Sequence, residues 1–283
     1  MLTNVEVRSA WSSAPDVPLS VGVGEDEDPL QIRGIDGLGP VKATINTTQK
    51  AQRGAFKTGS STPARNVVLT IGFNPDYVEH TVSSLREKLY GYFMPEQPVN
   101  LRIFRDDKPA VEIDGFSEGV DPTIFSKDPE VQISVICPDP DFVAVAASIV
   151  EGTANHEPVS VDFTALSNIA TSALLEITAL EGDETTYDGT ITFEKKTLAS
   201  GAEIFTVTGT VGEDIVTRID SRQGDKIAQV DYGVETTNIL NSMTDDSVWP
   251  RITPGTNKIK VILEAAAADK HWKLTYFDRF GGL

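Results

Sequence analysis

The sequence predicts a mostly β protein of two domains, 1–140 and 141–283, and three observations carry that reading. The chain has 283 residues, enough for two cores at roughly 100–150 residues per domain. Short alternations of apolar and polar residues recur along its whole length, whereas a 3.6-residue period occurs once. The stretch Cys137-Pro138-Asp139-Pro140-Asp141 supplies a stiff joint between two differently patterned halves.

In the first half the alternations fall at Leu2–Val7, around Leu30–Ile32, at Val41–Thr47 and at Val67–Phe73. Further ones fall at Val99–Arg105, Ala110–Glu118 and Glu130–Ile136, with Asp106-Asp107-Lys108-Pro109 as the turn between the first two of these. Gly22–Pro29 reads as an acidic, solvated loop, because it lacks the spaced Asp/Asn/Gly pattern of a calcium loop. The helical period follows Asn74. Asn74 can cap, Pro75 suits the first helical position and Asp76 favours the positive end of the dipole. Val78, Val82, Leu85 and Leu89 then form one apolar stripe, and Gly91 can end it.

Residues 49–65 read as a long connection that is polar, Gly-punctuated and locally basic, with Lys50, Arg53, Lys57 and Arg65. Alone it has little to bury, and it lacks the Lys-Ser/Thr ending of a P-loop. A protein–protein arm is the preferred reading, with Arg53, Gly54, Phe56, Lys57, Gly59 and Arg65 as its candidate contact residues. Beyond Asp141 the stretch 142–157 reads as small and irregular. Nine strand-like runs follow: Val159–Phe163, Ala173–Ala179, Tyr187–Phe193, Glu203–Thr208, Ile215–Ile219, Ile227–Val230, Thr237–Leu240, Lys258–Leu263 and Trp272–Phe277. Turn signals at Gly182-Asp183, Asp188-Gly189, Ser200-Gly201 and Gln223-Gly224-Asp225 separate them, a pattern that points to a β-sandwich.

Charge and composition exclude several functions. With 24 basic and 42 acidic residues the net charge is −18, spread over both halves, so no basic stripe is available to grip phosphates. No apolar run approaches the roughly 20 residues of a membrane helix, and the N-terminus lacks a basic-then-apolar leader, so a soluble, non-exported chain is expected. The single cysteine, Cys137, cannot form an internal disulfide and reads as a buried thiol at a strand end.

Catalytic patterns are missing. His80, His156 and His271 lie far apart, and no nucleophile elbow, paired-histidine zinc motif or dinucleotide fingerprint occurs. The adjacent carboxylates Asp106-Asp107 and Asp245-Asp246 point to opposite faces if they sit on strands. The sequence thus predicts no catalytic residues, no metal and no cofactor. Trp249 and Trp272 are candidate glycan-stacking residues, with core packing as the competing reading. A carbohydrate-binding module, or more remotely a glycosidase, is the alternative function.

Taken in order, several runs resemble the distal tail proteins of long, non-contractile-tailed bacteriophages. They are Ile32-Arg33-Gly34-Ile35-Asp36-Gly37-Leu38-Gly39, the Gly-rich loop from Arg53 to Arg65, the segment Val67–Tyr92 and Ile133–Pro140. In the second half they are Asn238-Ile239-Leu240, Trp249–Ile259 with its Pro-Gly-x-Asn-x-Ile core, and the terminal Tyr276–Leu283. The resemblance implies an N-terminal β-barrel-like domain with one helix that forms a hexameric ring continuing the tail tube. It implies an outward-facing, galectin-like C-terminal sandwich. It further implies contacts with the tube protein and with tail-tip, fibre or receptor-binding proteins, and a lumen through which DNA passes without stable binding. The expected place is the distal end of the virion tail, after assembly in the host cytoplasm.

Overall fold

Alternating burial drives nearly every strand in the computed structural model. It describes residues 1–9, 17–23, 28–49, 54–122, 128–197, 202–222, 226–264, 266 and 268–283. The acidic run Glu25–Glu27, Lys50, Arg53 and the turn residues Ser200, Gly201 and Gln223–Asp225 lie outside the described residues. The chain divides into two compact units, Met1–Val145 with Phe280–Leu283, and Ala146–Arg279. The Pro-Asp-Pro stretch therefore lies inside the first unit, and the chain's last four residues return to it.

The first unit is a closed barrel. Strands β1 (Leu2–Ser9), β2 (Leu19–Gly22), β3 (Leu30–Asp36), β6 (Arg65–Phe73), β7 (Pro98–Arg105), β8 (Lys108–Pro122) and β9 (Glu130–Cys137) run in the order β8-β7-β1-β2-β3-β6-β9, and β9 pairs back onto β8. Only β2 and β3 are parallel. Register shifts between Ile32 and Gly34 and between Ser117 and Gly119 bend the strands, which closure of so few strands requires. Val5, Val7, Val67, Leu69, Ile71, Leu101, Val111, Ile133 and Val135 point inward at period two and are almost wholly buried. The circuit is thinnest between β2 and β3, which meet at the single pair Gly22 and Gln31.

Helix α1 (Val82–Tyr90) starts later than the sequence suggests. The Asp76 carboxylate accepts hydrogen bonds from the amides of Val78, Glu79 and His80 at 2.8–2.9 Å, forming a turn instead of a first helical residue. These bonds hold its pKa below the usual carboxylate value. Thr81 is the true N-cap, in a reciprocal capping box with Ser84. Consequently Val78 is exposed, while Leu85 and Leu89 enter the barrel core with Tyr92 and Phe93. Gly91 closes the helix as expected.

The strand expected at Val41–Thr47 lies at β4 (Thr44–Gln49), and part of the stretch 49–65 read as a long connection is a strand too, β5 (Ala55–Ser61); the two pair with each other as a hairpin and, among the described residues, with no other strand. Every residue of β4 is exposed, and every residue of β5 except the partly exposed Gly59.

The second unit is a two-sheet sandwich. One sheet holds β11 (Ser148–Ala154), β21 (Lys270–Tyr276), β13 (Thr171–Ala179), β16 (Val216–Asp220), β17 (Ile227–Asp231) and β18 (Thr236–Asn238), with β19 (Arg251–Ile252) paired to β13. The other holds β12 (Val161–Ala165), β20 (Gly255–Leu263), β14 (Tyr187–Thr197) and β15 (Glu203–Val211). Inward residues of both sheets, including Leu175, Ile177, Phe193, Phe205, Val207, Val261, Trp272 and Leu274, share one core. The expectation that 142–157 is irregular fails twice. β10 (Phe142–Ala144) pairs with β8 in the first unit, and β11 pairs along the length of β21.

Candidate functional site

The arm residues separate into two groups once placed in the fold. Gly54 has φ +88°, a backbone conformation that favours glycine, and leads into β5. Phe56, 59% exposed, stands opposite Thr48, and Lys57 stands opposite Thr47. Gly59 faces Asn46 across a bulge that leaves Thr58 without a cross-strand partner. Residues 37–75 hold five basic residues, Lys42, Lys50, Arg53, Lys57 and Arg65, and no acidic one, in a chain of net charge −18. Ile45, 61% exposed, adds a second large apolar side chain to the hairpin. An isolated two-stranded hairpin is marginal in water, and one that displays Phe and Ile to solvent has the features of a segment that gains its stability from a neighbour.

Arg65 is not part of that exposed arm. It opens β6, is 2% exposed, and its guanidinium donates to the carbonyls of Pro140, Gly37, Gly39 and Gly281 at 2.5–2.6 Å. The Phe142 ring lies 4.5 Å below it. Burial lowers its pKa, opposed by Asp141 and Cys137, but a guanidinium stays charged. Three runs that carried the resemblance, Ile32–Gly39, Ile133–Pro140 and the terminal Tyr276–Leu283, thus converge on one side chain. Gly37 accepts this geometry with φ +86°, where a Cβ would sit 2.0 Å from the Asn66 carbonyl. The Leu283 amide also donates to the Leu38 carbonyl at 2.9 Å. Sequence reasoning saw these runs but not their meeting, because Gly281 and Arg65 lie 216 positions apart.

An open cleft of about 400 Å³ lies on the outer face of the barrel unit. Arg8, Asn100 and Asp114 are cross-strand neighbours on β1, β7 and β8, and Pro98 stands opposite Phe116. Asn100 donates to Asp114 at 2.9 Å. Pro138 and Asp139 border the same cleft, and Phe116 is 47% exposed.

The tryptophans differ sharply. Trp272 is fully buried, and a Cβ on Gly152 across the sheet would come within 2.6 Å of its ring, so it packs the sandwich core and offers no face to a sugar. Trp249 is partly exposed, with the Phe205 ring centroid at 5.0 Å and Lys226 Nζ at 5.8 Å. In the Thr253-Pro254-Gly255-Thr256-Asn257 run, the buried Asn257 amide donates to the Thr253 and Gly255 carbonyls and accepts from Thr253 N and Oγ1. That motif therefore shapes a turn entering β20, with Gly255 at φ +83°. Cys137 is buried at the end of β9, and burial pushes its thiol up to about 12. Among the described residues no three His, Cys, Asp or Glu side chains gather as a metal site.

Residues 24–155 match the model of the phage tail protein RIFT-related domain. That stretch is similar to a phage tail domain. The SPP1 Dit (gp 19.1) protein, described as a paradigm of the hub adsorption apparatus in phages infecting Gram-positive bacteria, has the same fold. It aligns at TM-score 0.61 and 13% identity over 90% of this chain and 95% of that one. The phage P2 baseplate in its activated conformation with Ca aligns over 100% of both chains at 9% identity and TM-score 0.48. The phage p2 baseplate with Sr aligns over 96% and 97% at 9% identity and 0.44, and neither score carries an argument. No curated protein sequence matches the chain. The chain therefore has the fold of the SPP1 Dit protein, with the RIFT-related match covering most of its barrel unit and running into β11.

Proposed function

We propose that this chain is a structural connector at the distal end of a long, non-contractile phage tail. Its barrel unit forms a ring, six-fold by analogy with the family it resembles, that continues the tail tube. The sandwich unit faces outward, and tail-tip, fibre or receptor-binding proteins attach to the ring. DNA passes through the lumen without a stable site, consistent with a chain whose net charge of −18 repels it. The tail-domain match over residues 24–155 is the observation that carries this reading. The exposed hairpin supports it, because strands that leave Phe56 and Ile45 largely exposed suit contact with a neighbouring subunit or the tube. No catalytic role is assigned.

Electron micrographs of the purified chain, alone and mixed with its tail tube protein, test the proposal. Rings with a central opening are expected. A monomer under both conditions, at concentrations well above those of the virion assembly reaction, overturns it.

A further inference from the structure

The sheets of the second unit end in edges of unequal kind. β12 and β18 are five and three residues long, and β11 carries Glu151 and Gly152 in mid-strand, features that blunt an edge. β15 differs. It is nine residues long, and Ile204–Val211 within it hold no charge and no proline. A window of Ile, Phe, Val and Thr of this kind pairs readily with a further strand.

β14 lies along one side of β15, and residues 242–248, which form no strand, cover the other. The Thr244 amide donates to the Thr206 carbonyl at 3.2 Å, and the Val248 amide to the Ile204 carbonyl at 2.7 Å. The edge amides of Thr206 and Thr208 donate instead to hydroxyls, those of Ser247 at 2.9 Å and Ser242 at 3.1 Å. The same two hydroxyls lie 3.1 and 3.0 Å from the carbonyls of Thr206 and Thr208. Each serine thus stands in for one residue of a neighbouring strand, because a hydroxyl both accepts and donates. Ile239, Leu240, Met243 and Trp249 pack partly buried against the sandwich core and hold the segment in place.

We propose that residues 242–248 are an autoinhibitory strap, and that what they exclude is β15 of a second copy of this chain. Antiparallel pairing centred on Thr206 sets Ile204 opposite Thr208 and Glu203 opposite Gly209, so no like charges face each other. The edge is therefore complementary to itself, and one two-fold contact satisfies both strands. With the strap in place the edge is already hydrogen-bonded, and the sandwich is kept out of that contact.

The full chain carrying Ser242→Val and Ser247→Val tests this, since it loses both hydroxyls and keeps side chains of similar size. Its particle mass by light scattering is expected to be about twice the parent's or more at equal concentration, whatever the parent's own assembly state. Ser242→Thr with Ser247→Thr, which retains the hydroxyls, is expected to keep the parent's mass. Adding Thr206→Pro to the valine variant removes the central edge amide and is expected to restore the parent's mass. Thr208→Lys, a charge at an exposed edge position, serves the same end if the proline unfolds the sandwich. A valine variant that keeps the parent's mass overturns the proposal. So does an excess mass that neither edge block reverses, or a threonine variant that associates as the valine one does.

Discussion

Strand β6 and the β4–β5 hairpin lie within four residues of each other in the chain and have opposite surroundings. β6 is built of Val67, Leu69, Ile71 and Phe73 on one face, all buried, and pairs on both sides with β3 and β9. The described residues of the hairpin are exposed except the partly exposed Gly59, and its two strands pair with each other. Both are β structure, so strand formation alone does not tell the scaffold from the contact surface; burial does. Burial places the apolar stabilisation in β6 and its neighbours, whereas the hairpin leaves Phe56 and Ile45 largely exposed.

Substitutions along this short stretch are expected to separate the two roles. Arg65→Ala, at the boundary, removes the buried side chain that donates to four carbonyls and should destabilise the first unit by about 3–5 kcal/mol, read from denaturant unfolding. A loss under 1 kcal/mol would show that water replaces the guanidinium and that the hub is incidental. Gly37→Ala follows, costing about 1–3 kcal/mol from its positive φ, with the clash against the Asn66 carbonyl in addition. Thr81→Ala removes the helix cap and should cost about 1 kcal/mol by the same measurement. Phe56→Ala is expected to change unfolding by no more than about 0.5 kcal/mol while abolishing or sharply weakening ring formation in micrographs. A Phe56→Ala chain that unfolds much earlier than the parent would erase the distinction between scaffold and arm.

How much of this was legible in the sequence depends on where each residue's partners lie. The β6 alternation was readable because period two with one buried face is a local property. β4 was partly readable from the alternation at Val41–Thr47, whereas β5 was readable only as polar and basic, since with neither face buried it has no apolar period to show. The helix start was misplaced because Pro75 suits a first helical position, and nothing local reveals that the Asp76 carboxylate captures three amides first. β11 was missed because Ser-Ile-Val-Glu-Gly-Thr-Ala carries a glycine in mid-strand, and that glycine is there to admit Trp272 from a strand more than a hundred residues later. Of the candidate site, Phe56 and Lys57 were found by charge contrast. Arg65 was grouped with them for its charge, although its partners come from three distant runs. The cleft had no sequence signature at all, because Arg8, Asn100, Asp114 and Asp139 meet only through strand register.

The return of Phe280–Leu283 to the first unit makes the sandwich a passenger spliced into a loop of the barrel, held by two covalent tethers. One proteolytic nick near residue 145 therefore leaves the two units joined through the tail, and release of the sandwich requires a second cut near residue 279. The same topology sets how the barrel must be excised for study. A fragment ending at Pro140 lacks both Phe142 and Gly281 around Arg65, whereas residues 1–145 joined by a short linker to 280–283 keep that guanidinium's full set of partners. A passenger of this kind can be exchanged by recombination at two points without disturbing barrel closure, so the second unit can change while the first keeps its fold.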